Sequence, residues 1–222
     1  MRCYKCGSVL SANDACPKCH ADMSIYKKTA RVSDVYYNKG LEKARVRDLS
    51  GAIETLKVSL MINKYNIEAR NLLGLIYCEM GEVVDALSQW VMSKNLAPED
   101  SVADSYIKRI QSNQNKFDAV TSAIKKYNIS LNYAKAKNYD MAVIQLKKIV
   151  VANPHFVKAH QLLALIYIKD GEYTRAKKLL NAVLKIDKNN TVAIKYLNEI
   201  NQIQTAKDND TSGSFLPKKK VK

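Results

Sequence analysis

The sequence predicts an all-α protein: a solenoid of stacked helix-turn-helix units, preceded by a small four-cysteine head. Three observations carry this. Apolar residues recur at helical spacing, as in Leu72, Leu73, Ile76, Tyr77 and Met80. Glycine and proline, the residues that interrupt helices, number only 7 and 4 in 222. The stretch from Asn71 to Glu82, closed by Ala86 and Pro98, returns ninety positions later from Gln161 to Glu172, closed by Ala176.

The head occupies residues 1–23. It holds Cys3-x-x-Cys6, nine intervening residues, and Cys16-x-x-Cys19. Each Cys-x-x-Cys offers two thiolates in a tight knuckle, and zinc prefers four tetrahedral ligands. Gly7 lets the backbone turn back beneath the first pair. So short a segment cannot build a hydrophobic core, so metal binding would supply its folding energy. The run Cys-x-x-Cys-Gly-Ser-x-Leu, followed by Cys-Pro-Lys-Cys, resembles the short zinc ribbon that heads many bacterial proteins. The pairs stand closer together than is usual, and His20 occupies a position where such ribbons often carry glycine. Four thiolates leave zinc no open position, so Cys3, Cys6, Cys16 and Cys19 would hold a structural Zn2+. Redox or disulfide chemistry is the alternative, but a thioredoxin-like βαβ context is missing.

Residues 24–32 are a basic linker or the lead-in to the first long helix. From residue 33 four copies of a 34-residue frame run without internal gaps, at 33–66, 67–100, 123–156 and 157–190. The small residue of the first helix falls at Gly40, Gly74, Ser130 and Ala164, and the alanine of the second at Ala52, Ala86, Ala142 and Ala176. The large residue four places on is Leu56, Trp90, Leu146 and Leu180. Tyr77, Tyr133 and Tyr167 share one position, where copy one has Lys43, and the closing prolines are Pro98 and Pro154. The pattern resembles the tetratricopeptide repeat (TPR) family over about three quarters of the chain.

Ser101–Ile110 and Thr191–Ile200 correspond across the same ninety-residue offset, and each opens on a hydroxyl residue expected to cap a helix. The chain is therefore a duplicated block of two repeats plus a closing helix, residues 33–115 and 116–205, with a polar turn at 112–116. Residues 206–222 are polar and aperiodic and are expected to be a disordered basic tail. Its Pro-Lys-Lys-Lys-Val-Lys resembles a nuclear-import motif, which conflicts with the bacterial look of the ribbon-plus-repeat arrangement. A basic run also suits an anionic inner leaflet. The abrupt end leads us to expect a continuation past Lys222 that includes a membrane span.

The formal charge of +15 is unevenly spread: residues 33–122 carry 11 basic and 12 acidic side chains, residues 123–206 carry 14 and 5. The second half is the better candidate for an acidic partner. The N-terminus has no apolar signal core, so a cytoplasmic chain is expected. Gly-rich phosphate loops, His-Glu-x-x-His and Gly-x-Ser-x-Gly are absent, so no catalytic residues are assigned and an enzyme is not expected.

The resemblance implies ligand binding along the concave surface formed by the first helix of each repeat. That surface would be lined by Tyr37 and Leu41, Asn71 and Leu75, Tyr127 and Leu131, and Gln161 and Leu165, with Lys135, Lys158 and Lys169 bordering its second half. The Lys and Asn of the family's carboxylate clamp are missing here, so capture of a chaperone C-terminus is not expected. The function implied is a protein-binding scaffold for a peptide or protein with apolar anchors and acidic character. The alternatives are nucleic-acid binding through the ribbon and the basic second half, and peripheral membrane attachment through the tail. His160 takes the place of a packing aromatic, and Cys78 is expected to be a reduced thiol.

Overall fold

The structure, a computed structural model, describes residues 3–98, 101–112 and 114–212. Among them are ten α-helices: α1 (Ser24–Arg45), α2 (Leu49–Ile62), α3 (Ile67–Glu79), α4 (Val83–Leu96), α5 (Ser101–Gln111), α6 (Gln114–Lys135), α7 (Tyr139–Ala152), α8 (Val157–Lys169), α9 (Tyr173–Ile186) and α10 (Thr191–Ser212). Each of α6 to α10 begins ninety residues after its counterpart among α1 to α5, as Ser24 and Gln114 or Val83 and Tyr173 show. The duplication seen in sequence is thus a duplication of elements. Two compact units result, residues 1–78 with 82–113, and residues 79–81 with 114–222.

Within the repeats the small-residue rule has a direct steric cause. A Cβ on Gly74 would lie 2.3 Å from the Trp90 indole nitrogen, and one on Gly40 would lie 2.8 Å from Leu56 Cγ. The bulkiest side chain of the second helices therefore faces the residue with no side chain at all. Trp90 donates its indole N–H to the Asn71 carbonyl at 3.1 Å, so the buried ring has its polar atom satisfied. Ala52, Ala86, Ala142 and Ala176 are wholly buried, as the close approach of two helices requires.

The turn inside every hairpin has the same geometry. Arg47, Gly81, Lys137 and Gly171 all take φ between 62° and 76°. The following amide then donates back five residues, from Asp48 to the Lys43 carbonyl, Glu82 to Tyr77, Asn138 to Tyr133 and Glu172 to Tyr167. This is the Schellman ending of a helix, which favours glycine at the left-handed position. Two of the four copies place a long cationic side chain there instead.

Three expectations are revised. Residues 24–32 are not a linker but the opening turns of α1, because Ala30 and Lys27 are buried there. Thr191 does not cap α10: the carboxamide oxygen of the preceding Asn190 accepts the Ala193 N–H at 3.0 Å. Asn66 does the same for α3, accepting from Ala69 at 2.9 Å. Residues 206–212, expected in the disordered tail, continue α10, since a helix already nucleated propagates cheaply. Residues 213–222, the rest of that tail, lie outside the described residues, as does the expected cap's neighbour Asp100.

Candidate metal centre and candidate binding groove

The head is built from two related knuckles. Gly7 N–H donates to the Cys3 carbonyl at 2.9 Å and Cys3 N–H to the Ser8 carbonyl at 2.8 Å. In the second knuckle His20 N–H donates to the Cys16 carbonyl at 3.0 Å and Cys16 N–H to the Ala21 carbonyl at 2.9 Å. His20 repeats the left-handed turn of Gly7, with φ of 55° against 72°. It is placed by backbone geometry and is not among the clustered ligand atoms.

The two knuckles bring Cys3, Cys6, Cys16 and Cys19 together, their sulfurs all within 4.8 Å of one another. Cys3 and Cys19 Sγ are 3.7 Å apart, and Cys6 and Cys16 Sγ are 3.6 Å apart. Ser8 Oγ lies 3.1 Å from both Cys6 and Cys16 Sγ. That hydroxyl pulls the Cys16 thiol down to about 5 and lowers Cys6 as well. The Ala21 backbone N–H favours the Cys19 thiolate, yet burial and the three neighbouring sulfurs together outweigh it and push that thiol up to about 11. Crowding of the sulfurs thus opposes ionisation of Cys19, and the four together could hold a metal ion. The buried core of the head is Cys3, Cys16 and Met23, so two of its three members are candidate ligands.

The head is fastened to α1. The buried ammonium of Lys27 donates to the carbonyls of Ser11 at 2.8 Å, Ala12 at 3.0 Å and Asn13. Tyr26 packs against the cysteine cluster and meets Tyr4 edge-on at 6.0 Å. Neither Ser8 nor Lys27 was singled out in the sequence. Ser8 is marked only by its place after Gly7, and a lysine in a basic run gives no sign that it caps a loop.

The groove residues fall into three groups. Leu41, Leu75, Leu131 and Leu165 share one register of α1, α3, α6 and α8, and none of them is buried, Leu75 being 38% exposed. Tyr37 is half-buried and lines a cleft in the first unit. Tyr127 packs on Phe156 with ring centroids 5.1 Å apart. Asn71 is buried, its carbonyl occupied by Trp90, and Gln161 donates its amide to Asn190 Oδ1 at 2.8 Å. The Gln161 amide is thus a structural contact before it is a recognition group, and Asn71 meets Trp90 through its backbone. Lys135 and Lys158 are exposed, whereas Lys169 Nζ rests 3.6 Å from the centre of the Tyr139 ring. Cys78 is half-buried, forms no disulfide and packs near Trp90.

Residues 133–198, from the last turn of α6 into α10, match the family model of the tetratricopeptide repeat. This stretch is a tetratricopeptide repeat. In the first half, repeat character follows from the ninety-residue offset of every helix. No curated protein matches the chain. Among solved structures it is similar to PilF of Pseudomonas aeruginosa (14% identity, 83% of this chain and 90% of that one, TM-score 0.37). It is similar also to MamA of Desulfovibrio magneticus RS-1 (18% identity, 71% and 96%, TM-score 0.33). A third is YrrB, described as a TPR protein with an unusual peptide-binding site (12% identity, 73% and 90%, TM-score 0.33). All three superpose too loosely to be used in assigning function. Among the described residues no helix is long and apolar enough to cross a membrane.

Proposed function

We propose that this tetratricopeptide repeat protein is a non-enzymatic interaction scaffold with a structural zinc in its head. The observation that carries the scaffold reading is the leucine row. Leu41, Leu75, Leu131 and Leu165 keep partial exposure, while Leu56, Leu73, Leu146 and Leu180 of the same hairpins are fully buried. Apolar side chains held half in solvent at one register offer anchors to an extended or helical peptide. In the second unit the exposed Lys135 and Lys158 flank that register and favour a peptide with acidic residues. Substituting Leu131 and Leu165 with alanine is expected to lose partners in affinity capture while leaving the helical circular dichroism intact. Unchanged recovery of partners from the doubly substituted protein overturns the groove assignment.

The zinc reading rests on the donor set and its spacing. A tetrahedron with zinc–sulfur bonds of about 2.3 Å has edges of about 3.8 Å. Two sulfur pairs, at 3.6 and 3.7 Å, already approach that edge. When bound, the metal would supply folding energy to a head whose own core is three residues. Metal analysis of the purified protein is expected to give one zinc per chain, lost on Cys16→Ser.

A further inference from the structure

A cleft of about 690 Å³ opens in the first unit between α1 and α3, closed at one end by the α2–α3 turn and Leu96 of α4. Its walls include the rings of Tyr26, Tyr37 and Tyr65 and the carboxylates of Asp34 and Glu68. No lysine, arginine or histidine is among the described residues that line it. Asp34 uses Oδ1 to accept from the Asn66 amide at 3.1 Å, and among the described residues neither carboxylate has a cationic partner. Burial and the Glu68 charge both raise the Asp34 carboxyl above its ordinary range, so the cleft disfavours the Asp34 charge. Lys64 places its ammonium 5.1 Å from the centre of the Tyr65 ring, at the rim of this wall.

We propose that this cleft is a recognition pocket for a basic side chain, lysine or arginine, of a peptide partner. This rests on the scaffold reading and gives the first unit a preference of its own. The aliphatic stem of such a side chain suits Leu96 and the tyrosine rings. Its cationic head suits ring faces and carboxylates together, through cation–π attraction and charge-assisted hydrogen bonds. The duplicated unit provides the internal comparison. Asp34 and Glu68 occupy one register of α1 and α3, and the same register of α6 and α8 holds Ile124 and Lys158. The second unit forms the same helices without either carboxylate, so the hairpin fold does not require the pair.

The test is selection from a random peptide library on the zinc-loaded full chain, run beside Asp34→Asn with Glu68→Gln. Asparagine keeps the oxygen that accepts from Asn66, and matching thermal melts verify the variant's fold. A lysine or arginine anchor enriched by the natural protein and lost in the variant is expected. Selected peptides should then bind the variant about ten- to a hundredfold more weakly, the effect of removing charged hydrogen-bond partners. Peptides selected without a basic anchor, or with one that the variant retains, overturn the pocket while leaving the scaffold reading standing. Failure to select any peptide overturns both. Binding of spermidine with no basic-peptide enrichment overturns the peptide assignment in favour of a free amine.

Discussion

At the scale of single residues, the left-handed turn positions separate what glycine contributes from what the backbone imposes. Lys137 and Gly171 adopt φ of 62° and 76° in equivalent Schellman turns. A side chain in that region costs roughly 1 kcal/mol whatever space surrounds it. Lys137→Gly is therefore expected to stabilise the protein by up to about 1 kcal/mol. Gly171→Ala is expected to cost about as much, although no atom lies within 4 Å of the added Cβ. Urea unfolding midpoints check both, and equal shifts of one sign would contradict the argument. His160 gives a second residue-scale outcome. Burial lowers its pKa, opposed by the hydrogen bond from Nδ1–H to the Phe156 carbonyl at 3.0 Å. The unfolded imidazole titrates near its ordinary value of about 6.5. On lowering the pH through that value the unfolded chain takes up the proton first. The contribution present above it is then lost until the depressed folded pKa is reached. Midpoints measured from pH 8 to 5 are expected to fall more steeply in the natural protein than in His160→Phe.

At the scale of elements, Asn190 is a capping residue with three duties. It accepts from the Ala193 N–H and the Gln161 amide and donates to Asp187 Oδ2 at 3.0 Å. Asn190→Ala is expected to cost roughly 1–2 kcal/mol, whereas Thr191→Ala should stay within about 0.5 kcal/mol. Chemical denaturation of the two variants decides between the caps. The sequence placed the cap one residue late because a hydroxyl at a helix start is a local signal, while Asn190 is chosen by neighbours on other elements. Asn66 is the same lesson in the first unit. It is buried beneath Ser33 and Ser59, whose hydroxyls each donate to the other's carbonyl, and its amide donates to Ser33 Oγ at 2.9 Å. The 34-residue frame made the hairpins, the small-to-large pairs and the duplication legible, because close helix packing writes itself into residue size at fixed spacing. The cysteine cluster was legible because its ligands are chemically distinctive. The cleft carboxylates were not, since an acidic residue on a helix surface looks the same whether or not a cavity adjoins it.

At the scale of the whole molecule, the arrangement of the first unit ties the cysteine head to its repeat. Met23, fully buried in the head, immediately precedes α1, and Lys27 of α1 holds the carbonyls of Ser11, Ala12 and Asn13. Tyr26 faces both ways, packing on the cysteine cluster and lining the cleft. The head is thus tied to the first turns of α1, and loss of the proposed zinc should reach beyond residue 23. A buried ammonium that loses three carbonyl acceptors is costly to keep buried, so the first turns of α1 are expected to fray with the head. Hydrogen exchange read by mass spectrometry, before and after treatment with a zinc chelator, is expected to show protection falling across residues 3–31. In α8 and α9 the change should be much smaller. Lys27→Met should reproduce the loss in α1 with the four cysteines intact, because it removes the tie and not the ligands. A chelated protein whose α1 stays as protected as before would mean that the head is a passenger, and that Tyr26 holds its wall of the cleft without it.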